Sequence, residues 1–140
     1  MVGGRSLSAM KMVGVNVAAD PLFSFAYSGV NGGLVLVSAD DPGCHSSQNE
    51  QDNRYYAKFA KIAMVEPSDS QEAKDMVKAA LAISEEFDTP VLLRVTTRIC
   101  HSKSIVEIGP REPAPKKPYQ RDVLKYDLVP ATALIRRGAV

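Results

Sequence analysis

The sequence contains no tryptophan, and aromatic residues make up only 6% of its 140 residues. Proteins that hold single-stranded nucleic acid stack the bases on aromatic rings, and few rings are present here. A charge excess of one sign is also lacking, because 17 basic side chains are balanced by 16 acidic ones. Binding to a phosphate backbone requires a basic excess. We therefore expect no nucleic-acid partner.

Cysteine is nearly absent, with only Cys44 and Cys100. Two thiols cannot build a disulfide framework, and they cannot supply the four ligands of an iron–sulfur cluster. Each cysteine directly precedes a histidine, and neighbouring residues of an extended chain face opposite sides, which disfavours a Cys–His nucleophile pair. We expect both cysteines to be reduced thiols.

Long apolar runs are missing as well. No stretch approaches the roughly 20 apolar residues of a membrane span. The apolar residues near the N-terminus are interrupted by Asn16 and Asp20, so they do not form the apolar region of a signal peptide. The sequence therefore predicts a cytoplasmic protein with no membrane partner.

What the chain does contain is an alternation of aliphatic runs and amphipathic stretches. The clearest helix is predicted over 69–87, where Asp69 and Glu72 have capping-box spacing and apolar residues recur every three or four positions. Aliphatic runs at 34–37 and 91–95 are typical of strands covered on both faces. Weaker patterns predict strands over 5–12 and 62–65 and helices over 17–27 and 53–61. This order predicts an α/β fold, a three-layer sandwich with a mostly parallel sheet.

The composition changes after residue 108. Four prolines lie between Gly109 and Pro118, which is typical of an extended linker, and the remaining residues show no clear periodicity. We therefore predict a domain over residues 1–108, followed by a Pro-rich linker and C-terminal arm over residues 109–140.

A long polar segment, residues 40–54, follows the first aliphatic run. Ligand sites of open parallel sheets lie beyond the carboxyl ends of the strands, and a polar loop of this length is usually functional or disordered. Asp40, Asp41 and His45 could ligate a divalent cation, but their spacing matches no strong motif, and we assign no metal site. An acidic pair after a strand also occurs in receiver domains. The composition slightly favours a solvated turn.

Several segments resemble the alpha subunit of indolepyruvate–ferredoxin oxidoreductases. The most specific is the polar segment, with the run HSSQNEQDNR at 45–54, and the likeness extends over about residues 4–133. Residues 11–21, 32–42, 66–73 and 93–98 continue it, together with Pro118-Tyr119 and Lys125-Tyr126. The resemblance implies that this chain is an internal fragment of the subunit and forms an incomplete pyrimidine-binding domain for thiamine diphosphate.

The resemblance also implies an activity and partners. Enzymes of this type use thiamine diphosphate with Mg²⁺ to decarboxylate aryl 2-oxo acids oxidatively, pass electrons through iron–sulfur clusters to ferredoxin, and transfer the acyl group to coenzyme A. The clusters would lie in the intact enzyme and not in this chain. The implied partners are the remaining domains of the alpha subunit and a beta subunit, in an oligomeric assembly.

The resemblance implies a cofactor or substrate pocket but no catalytic residue in this chain. The glutamate that holds the aminopyrimidine ring in the family lies upstream of the segment matching Gly4, and Met12 stands where family members commonly carry histidine. The positive charge for a substrate carboxylate could come from Lys11 or Arg54. The expected pocket residues are Lys11, Asn16, Asp40, Asp41, His45, Gln48, Asn49 and Arg54.

Two functions therefore remain open at this point. The chain is either part of an oxidoreductase or a non-catalytic α/β interaction module, a truncated remnant without activity of its own. In both cases we expect the isolated chain to be inactive. Because the family's first strand–helix unit has no counterpart here, we also expect an open strand edge or an uncovered face, marginal stability and self-association.

Overall fold

Four strands form one parallel sheet in the computed structural model, which describes residues 2–114 and 116–138. Neighbouring strands are parallel throughout the order β1-β2-β4-β3, so the predicted three-layer α/β architecture is confirmed. The strands are β1 (Ser6–Lys11), β2 (Leu34–Asp40), β3 (Met64–Val65) and β4 (Val91–Thr96). The helices are α1 (Met12–Val17), α2 (Ala19–Ser28), α3 (Arg54–Ala60), α4 (Ser70–Phe87), α5 (Thr97–His101), α6 (Val123–Tyr126) and α7 (Pro130–Arg137).

The two faces of the sheet carry separate hydrophobic cores. Alternate side chains of a strand point to opposite faces, so Val35 packs with Ala80 of α4, whereas Leu36 packs on the face covered by α1, α2 and α3. Leu92 shares the face of Leu36, and Leu93 shares that of Val35. Burial on both faces is the reason that β2 and β4 are aliphatic rather than alternating in sequence.

The predicted capping box of α4 is confirmed in its first half. The Asp69 carboxylate accepts a hydrogen bond from the backbone N–H of Glu72, with an oxygen–nitrogen distance of 2.8 Å. The Glu72 carboxylate turns back one residue further than a capping box requires and accepts from the backbone N–H of Ser68 at 2.8 Å. The Asp69 bond satisfies an amide that the helix itself leaves unpaired, and the Glu72 bond holds the residue before the cap, so that the helix begins at Ser70.

Several short helices were not predicted. α1 follows β1 directly, where the sequence indicated a strand as far as Met12 and a helix only from Val17. A six-residue helix completes fewer than two turns and leaves no periodic pattern, and it depends instead on the burial of Met12 and Val15. α5 and α6 are shorter still and were not predicted for the same reason. α7 has eight residues with Pro130 in its first turn, and it was also not predicted.

The tail after residue 108 contacts the sheet domain at several points. The Lys125 ammonium pairs with the Asp88 carboxylate at 2.5 Å, and the Arg136 guanidinium donates to the backbone oxygen of Tyr27 at 2.8 Å. Burial raises the pKa of Asp88, but the Lys125 ammonium and the backbone N–H groups of Asn31 and Val30 outweigh burial and leave that pKa lowered. The division between a domain at 1–108 and an arm at 109–140 stays a prediction.

β1 is an edge strand that pairs only with β2 in the described part of the chain. The backbone N–H of Ser6 donates to Gly33 on the β2 side at 2.8 Å. Backbone groups alternate in direction along a strand, so those of Leu7 and Ala9 face the open edge. The Leu7 residue is 52% exposed. The expected open edge is therefore present.

Among the helices within residues 2–114 and 116–138, none combines the length and hydropathy that crossing a bilayer requires.

Candidate functional site at the carboxyl edge of the sheet

Three strands end side by side where the polar segment begins. Asp40 at the end of β2 is in register with Thr96 of β4, and Lys11 of β1 is in register with Ala39. The Lys11 ammonium donates a hydrogen bond to the backbone oxygen of Ser46, so the end of β1 is tied to the polar segment. The polar segment therefore lies at the carboxyl edge of the sheet, beside the ends of β1 and β4.

Asp41 organises the polar segment around its own carboxylate. Its oxygens accept from the Ser47 hydroxyl at 2.6 Å, the Thr97 hydroxyl at 2.6 Å and the Ser46 backbone N–H at 2.7 Å. These hydrogen bonds, among which the one from Ser47 has the largest effect, hold the pKa of Asp41 far below its usual range. Asp41 is only 3% exposed. Its carboxylate therefore fixes the loop and is already occupied by three donors.

Asp40 is buried in an ion pair. One carboxylate oxygen accepts from the Arg94 guanidinium at 2.9 Å and from the Asn53 backbone N–H at 3.1 Å, and the other accepts from the Asp41 backbone N–H at 2.9 Å. The Asp40 and Arg94 side chains are only 1% and 4% exposed. The Arg94 guanidinium also donates to the Glu66 carboxylate. Asp40 is therefore a buried structural charge beneath the loop, not an open ligand.

Asn53 connects the end of the polar segment to β2. It is fully buried, and its amide nitrogen donates to the Ser38 hydroxyl of β2. Its amide oxygen is buried without a hydrogen-bond partner in the described part of the chain. Together with the Asp40 bond to its backbone, this contact holds the start of α3 against the end of β2.

Arg54 does not offer a free positive charge. Its guanidinium forms a forked pair with the Asp52 carboxylate, with nitrogen–oxygen distances of 2.8 and 2.6 Å. These hydrogen bonds raise the pKa of Arg54 and lower the pKa of Asp52. Of the two cations that the sequence suggested for a substrate carboxylate, Arg54 is thus already paired within its own segment. The Lys11 ammonium, within residues 2–114 and 116–138, is hydrogen-bonded to a backbone oxygen alone.

The remaining predicted site residues lie on the exposed side of the loop. Asn16 of α1 reaches the Gln51 side chain at 3.5 Å, and Asn49 accepts from the Gln51 amide at 2.9 Å. His45 and Gln48 are exposed. Of the eight predicted site residues, two are therefore buried, namely Asp40 and Asp41, and Arg54 is paired with Asp52. The other five are exposed at this edge of the sheet.

A polar cavity of 320 Å³ lies between the ends of β2 and β4. Its walls come from the loop on one side and from the start of α5 on the other, namely Pro42, His45, Thr96, Thr97 and Arg98. A larger cavity of 760 Å³ is lined by aromatic and lysine side chains of α3 and by Lys61. α3 leads from the carboxyl end of β2 to the amino end of β3, so Lys61 lies toward the opposite edge of the sheet. The polar cavity is therefore the candidate site.

Sequence reasoning missed Arg94, Thr97, Arg98 and the Ser38–Asn53 contact. A usable signal existed for Arg94, because it is the single charged residue in a run predicted to be covered on both faces, and a charge buried in that way requires a partner. Thr97 and Arg98 gave no comparable signal, since they meet the loop only through the pairing of β2 with β4.

Asp41→Asn should make the free energy of unfolding depend less steeply on pH in the acid range. The folded pKa of Asp41 lies below the unfolded value of about 3.9, so its contribution to stability is present above that pH and is lost as the pH falls towards the folded pKa. Between about pH 5 and pH 2, the free energy of unfolding should therefore fall more steeply for the wild type than for the variant. Urea unfolding at a series of pH values measures both slopes. The exposed Glu86→Gln on α4 is the control, and equal slopes for wild type and Asp41→Asn would contradict the assignment.

Comparison with known proteins identifies the family of this chain. Residues 38–139 match the model of the pyruvate flavodoxin/ferredoxin oxidoreductase family, thiamine diphosphate-binding domain. The chain belongs to this thiamine diphosphate-binding family. Its match begins within β2 and includes the polar segment, Arg94 and α5, whereas Lys11 and Asn16 precede it.

Curated relatives of this family member are named indolepyruvate oxidoreductase subunit IorA. The protein from Archaeoglobus fulgidus is 52% identical over 135 residues, which are 96% of this chain and 21% of that protein. The protein from Methanothermobacter thermautotrophicus is 47% identical over 134 residues, 95% of this chain and 22% of that protein. The protein from Pyrococcus abyssi is 57% identical over 107 residues, 76% of this chain and 16% of that protein. The family member thus spans about a fifth of the length of these relatives.

Proposed function

We propose that this chain forms part of a thiamine diphosphate-dependent oxidoreductase that oxidatively decarboxylates aryl 2-oxo acids of the indolepyruvate type to acyl-CoA, with ferredoxin as the electron acceptor. The observation that carries the proposal is identity of 47–57% to proteins named indolepyruvate oxidoreductase subunit IorA. Its partners would be the remaining domains of the alpha subunit and a beta subunit, and its location the cytoplasm.

The geometry supports a role on the substrate side of such a site. Exposed donors and cations surround the carboxyl edge of the sheet, while both aspartates of the loop are withdrawn into internal bonds. An anionic 2-oxo acid would meet Lys11 and His45 first, with Asn16, Gln48 and Asn49 as neutral hydrogen-bonding groups. Asp40, Asp41 and Arg54 would act by holding the loop in shape.

The described residues do not by themselves fit thiamine diphosphate. Activation of its aminopyrimidine needs a carboxylate at a ring nitrogen. At this edge Asp40 and Glu66 are paired with Arg94, Asp41 is occupied by three donors, and Glu50 accepts from the Gly43 backbone N–H at 3.1 Å. No cluster of three or more metal-ligating side chains is present in residues 2–114 and 116–138 that could hold Mg²⁺. Binding of both, and the iron–sulfur clusters, would therefore require other parts of the intact enzyme.

Two observations favour the non-catalytic alternative for the isolated chain. The acidic side chains at the site are used to build the loop, and β1 has an edge that no strand covers in the described part of the chain. A chain of this kind would bind neighbouring subunit segments and perform no chemistry alone. We accordingly predict no turnover of any 2-oxo acid by the isolated chain.

A chimera tests the proposed function directly. The matched 135 residues of the Archaeoglobus fulgidus relative would be replaced by this chain, and the chimera would be produced with its partner subunit. We expect indolepyruvate-dependent ferredoxin reduction to be retained, and Lys11→Ala in the chimera to raise KM for the 2-oxo acid on the order of tenfold, since one charged hydrogen bond to the substrate is lost. A chimera that assembles and binds thiamine diphosphate but reduces no ferredoxin with any aryl 2-oxo acid would contradict the proposal.

A further inference from the structure

Arg98 places a positive charge in the polar cavity between β2 and β4. It is the second residue of α5, and the cavity of 320 Å³ has Arg98, Thr96 and Thr97 on one wall and His45 and Pro42 on the other. Ligands of open parallel sheets bind in the crevice beyond the carboxyl ends of the strands, and this cavity occupies that crevice.

The other arginines near this edge are already compensated by acids. Arg54 pairs with Asp52, and Arg94 pairs with Asp40 and Glu66. The guanidinium of Arg98, by contrast, makes no hydrogen bond or ion pair within residues 2–114 and 116–138. Of the acids in the adjacent loop, Asp41 is turned inward to Ser46, Ser47 and Thr97, and Glu50 accepts from the backbone N–H of Gly43. The cavity therefore contains a cation that forms no ion pair with a carboxylate in the described part of the chain.

The opposite wall supplies further donors. The His45 ring lies over Gly43, whose φ of 83° is in the left-handed region, and a side-chain carbon at Gly43 would lie 3.4 Å from the His45 Nε2 atom. The left-handed backbone favours glycine at this position, and a side-chain carbon there would make only an ordinary van der Waals contact with the imidazole. On the same wall as Arg98, the Thr96 hydroxyl makes no hydrogen bond in the described part of the chain, whereas the Thr97 hydroxyl donates to the Asp41 carboxylate.

We propose that Arg98, His45 and Thr96 form an oxyanion-binding subsite for the carboxylate or phosphate group of a small-molecule ligand. A guanidinium presents several N–H donors in a planar fork that matches two oxygens of such a group, and the imidazole and the hydroxyl can donate to the remaining oxygen lone pairs. The subsite deepens the proposed function and rests on it in one respect: the expected source of the oxyanion is the carboxylate of the 2-oxo acid.

The test measures anion binding to the 140-residue chain by NMR, so it requires no thiamine diphosphate and no turnover. Phenylpyruvate, its methyl ester and inorganic phosphate are titrated separately while the His45 ring and the Thr96 amide are observed. We expect phenylpyruvate to shift both signals, and the uncharged ester to leave them in place. Arg98→Gln should weaken binding on the order of tenfold, and Arg98→Lys should weaken it less because the charge is kept. The exposed Arg111→Gln, which removes the same charge from the tail, should have no effect.

Each result decides the proposal. Shifts with phosphate and not with phenylpyruvate, abolished by Arg98→Gln alone, would support the subsite and assign it to a phosphate-bearing ligand. Absence of shifts with both anions, or equal weakening by Arg98→Gln and Arg111→Gln, would overturn it. A chimera without activity would remove the proposed function but leave anion binding by this chain unaffected, so the two failures can be distinguished.

Discussion

Replacing Arg94 by methionine should lower the free energy of unfolding by about 3–5 kcal/mol, because it leaves the Asp40 carboxylate buried without its cation. The two side chains lie 54 residues apart in sequence and meet at 2.9 Å with almost no exposure to water. Asp40 also holds the backbone of Asp41 and Asn53, at the two ends of the loop. Loss of Arg94 is therefore expected to loosen the loop as well as the core.

Urea unfolding followed by circular dichroism measures this effect. Arg54→Met is the matched control, since it breaks only the solvent-exposed pair with Asp52 and should lower the free energy of unfolding far less. Adding Asp40→Asn to Arg94→Met should recover part of the loss, because the buried group is then uncharged and its amide oxygen can still accept a hydrogen bond from a loop backbone N–H. An Arg94→Met variant that is no less stable than Arg54→Met would show that the buried pair does not support the fold.

The second large effect concerns the open edge of β1. The isolated chain should self-associate through this strand, because the outward backbone groups of Leu7 and Ala9 and the half-exposed Leu7 side chain are unpartnered in the described part of the chain. Leu7→Lys should weaken association by more than about tenfold, since a symmetric dimer would lose the burial of two half-exposed leucines at roughly 1 kcal/mol each.

Sedimentation and thermal unfolding over a range of protein concentrations measure the association. We expect the melting temperature of the wild type to rise with concentration and that of Leu7→Lys to be independent of it. Ile105→Lys introduces the same charge at an exposed apolar site of the tail and should behave as the wild type does. A wild-type monomer that melts cooperatively at one high temperature would show that the sheet needs no partner at β1.

Local patterns were sufficient for the larger elements. Helix α4 is 18 residues long, so its apolar repeat and its Asp69 cap are visible without any neighbour. β2 and β4 are visible because strands buried on both faces must be aliphatic throughout. α1 and α5, with six and five residues, are too short for a repeat and depend on the surface against which they fold.

The candidate site was predictable in position but not in the roles of its residues. The polar segment had to follow β2, and the carboxyl ends of parallel strands share one edge, so its location was determined by the order of elements. Which of its charged side chains remain unpaired depends on the partners that the folded chain brings to each of them. Arg54 is bound to Asp52 two residues away, and Asp40 is bound to Arg94 on another strand.

The amino-acid sequence by itself determined the class of fold, the approximate positions of its main helix and strands, and the family likeness of the polar segment, because each of these is recorded in residues close together along the chain. The end of β2 was predicted at residue 37, whereas the strand continues to Asp40. The tertiary structure alone decided the strand order β1-β2-β4-β3, which brings β4 beside β2 and so places Arg94 against Asp40 and Arg98 opposite His45. The physical reason is that a charge in a protein is free or neutralised according to its neighbours in space, and for Asp40 and Asp41 those neighbours, Arg94 and Thr97, are 54 and 56 residues away in sequence.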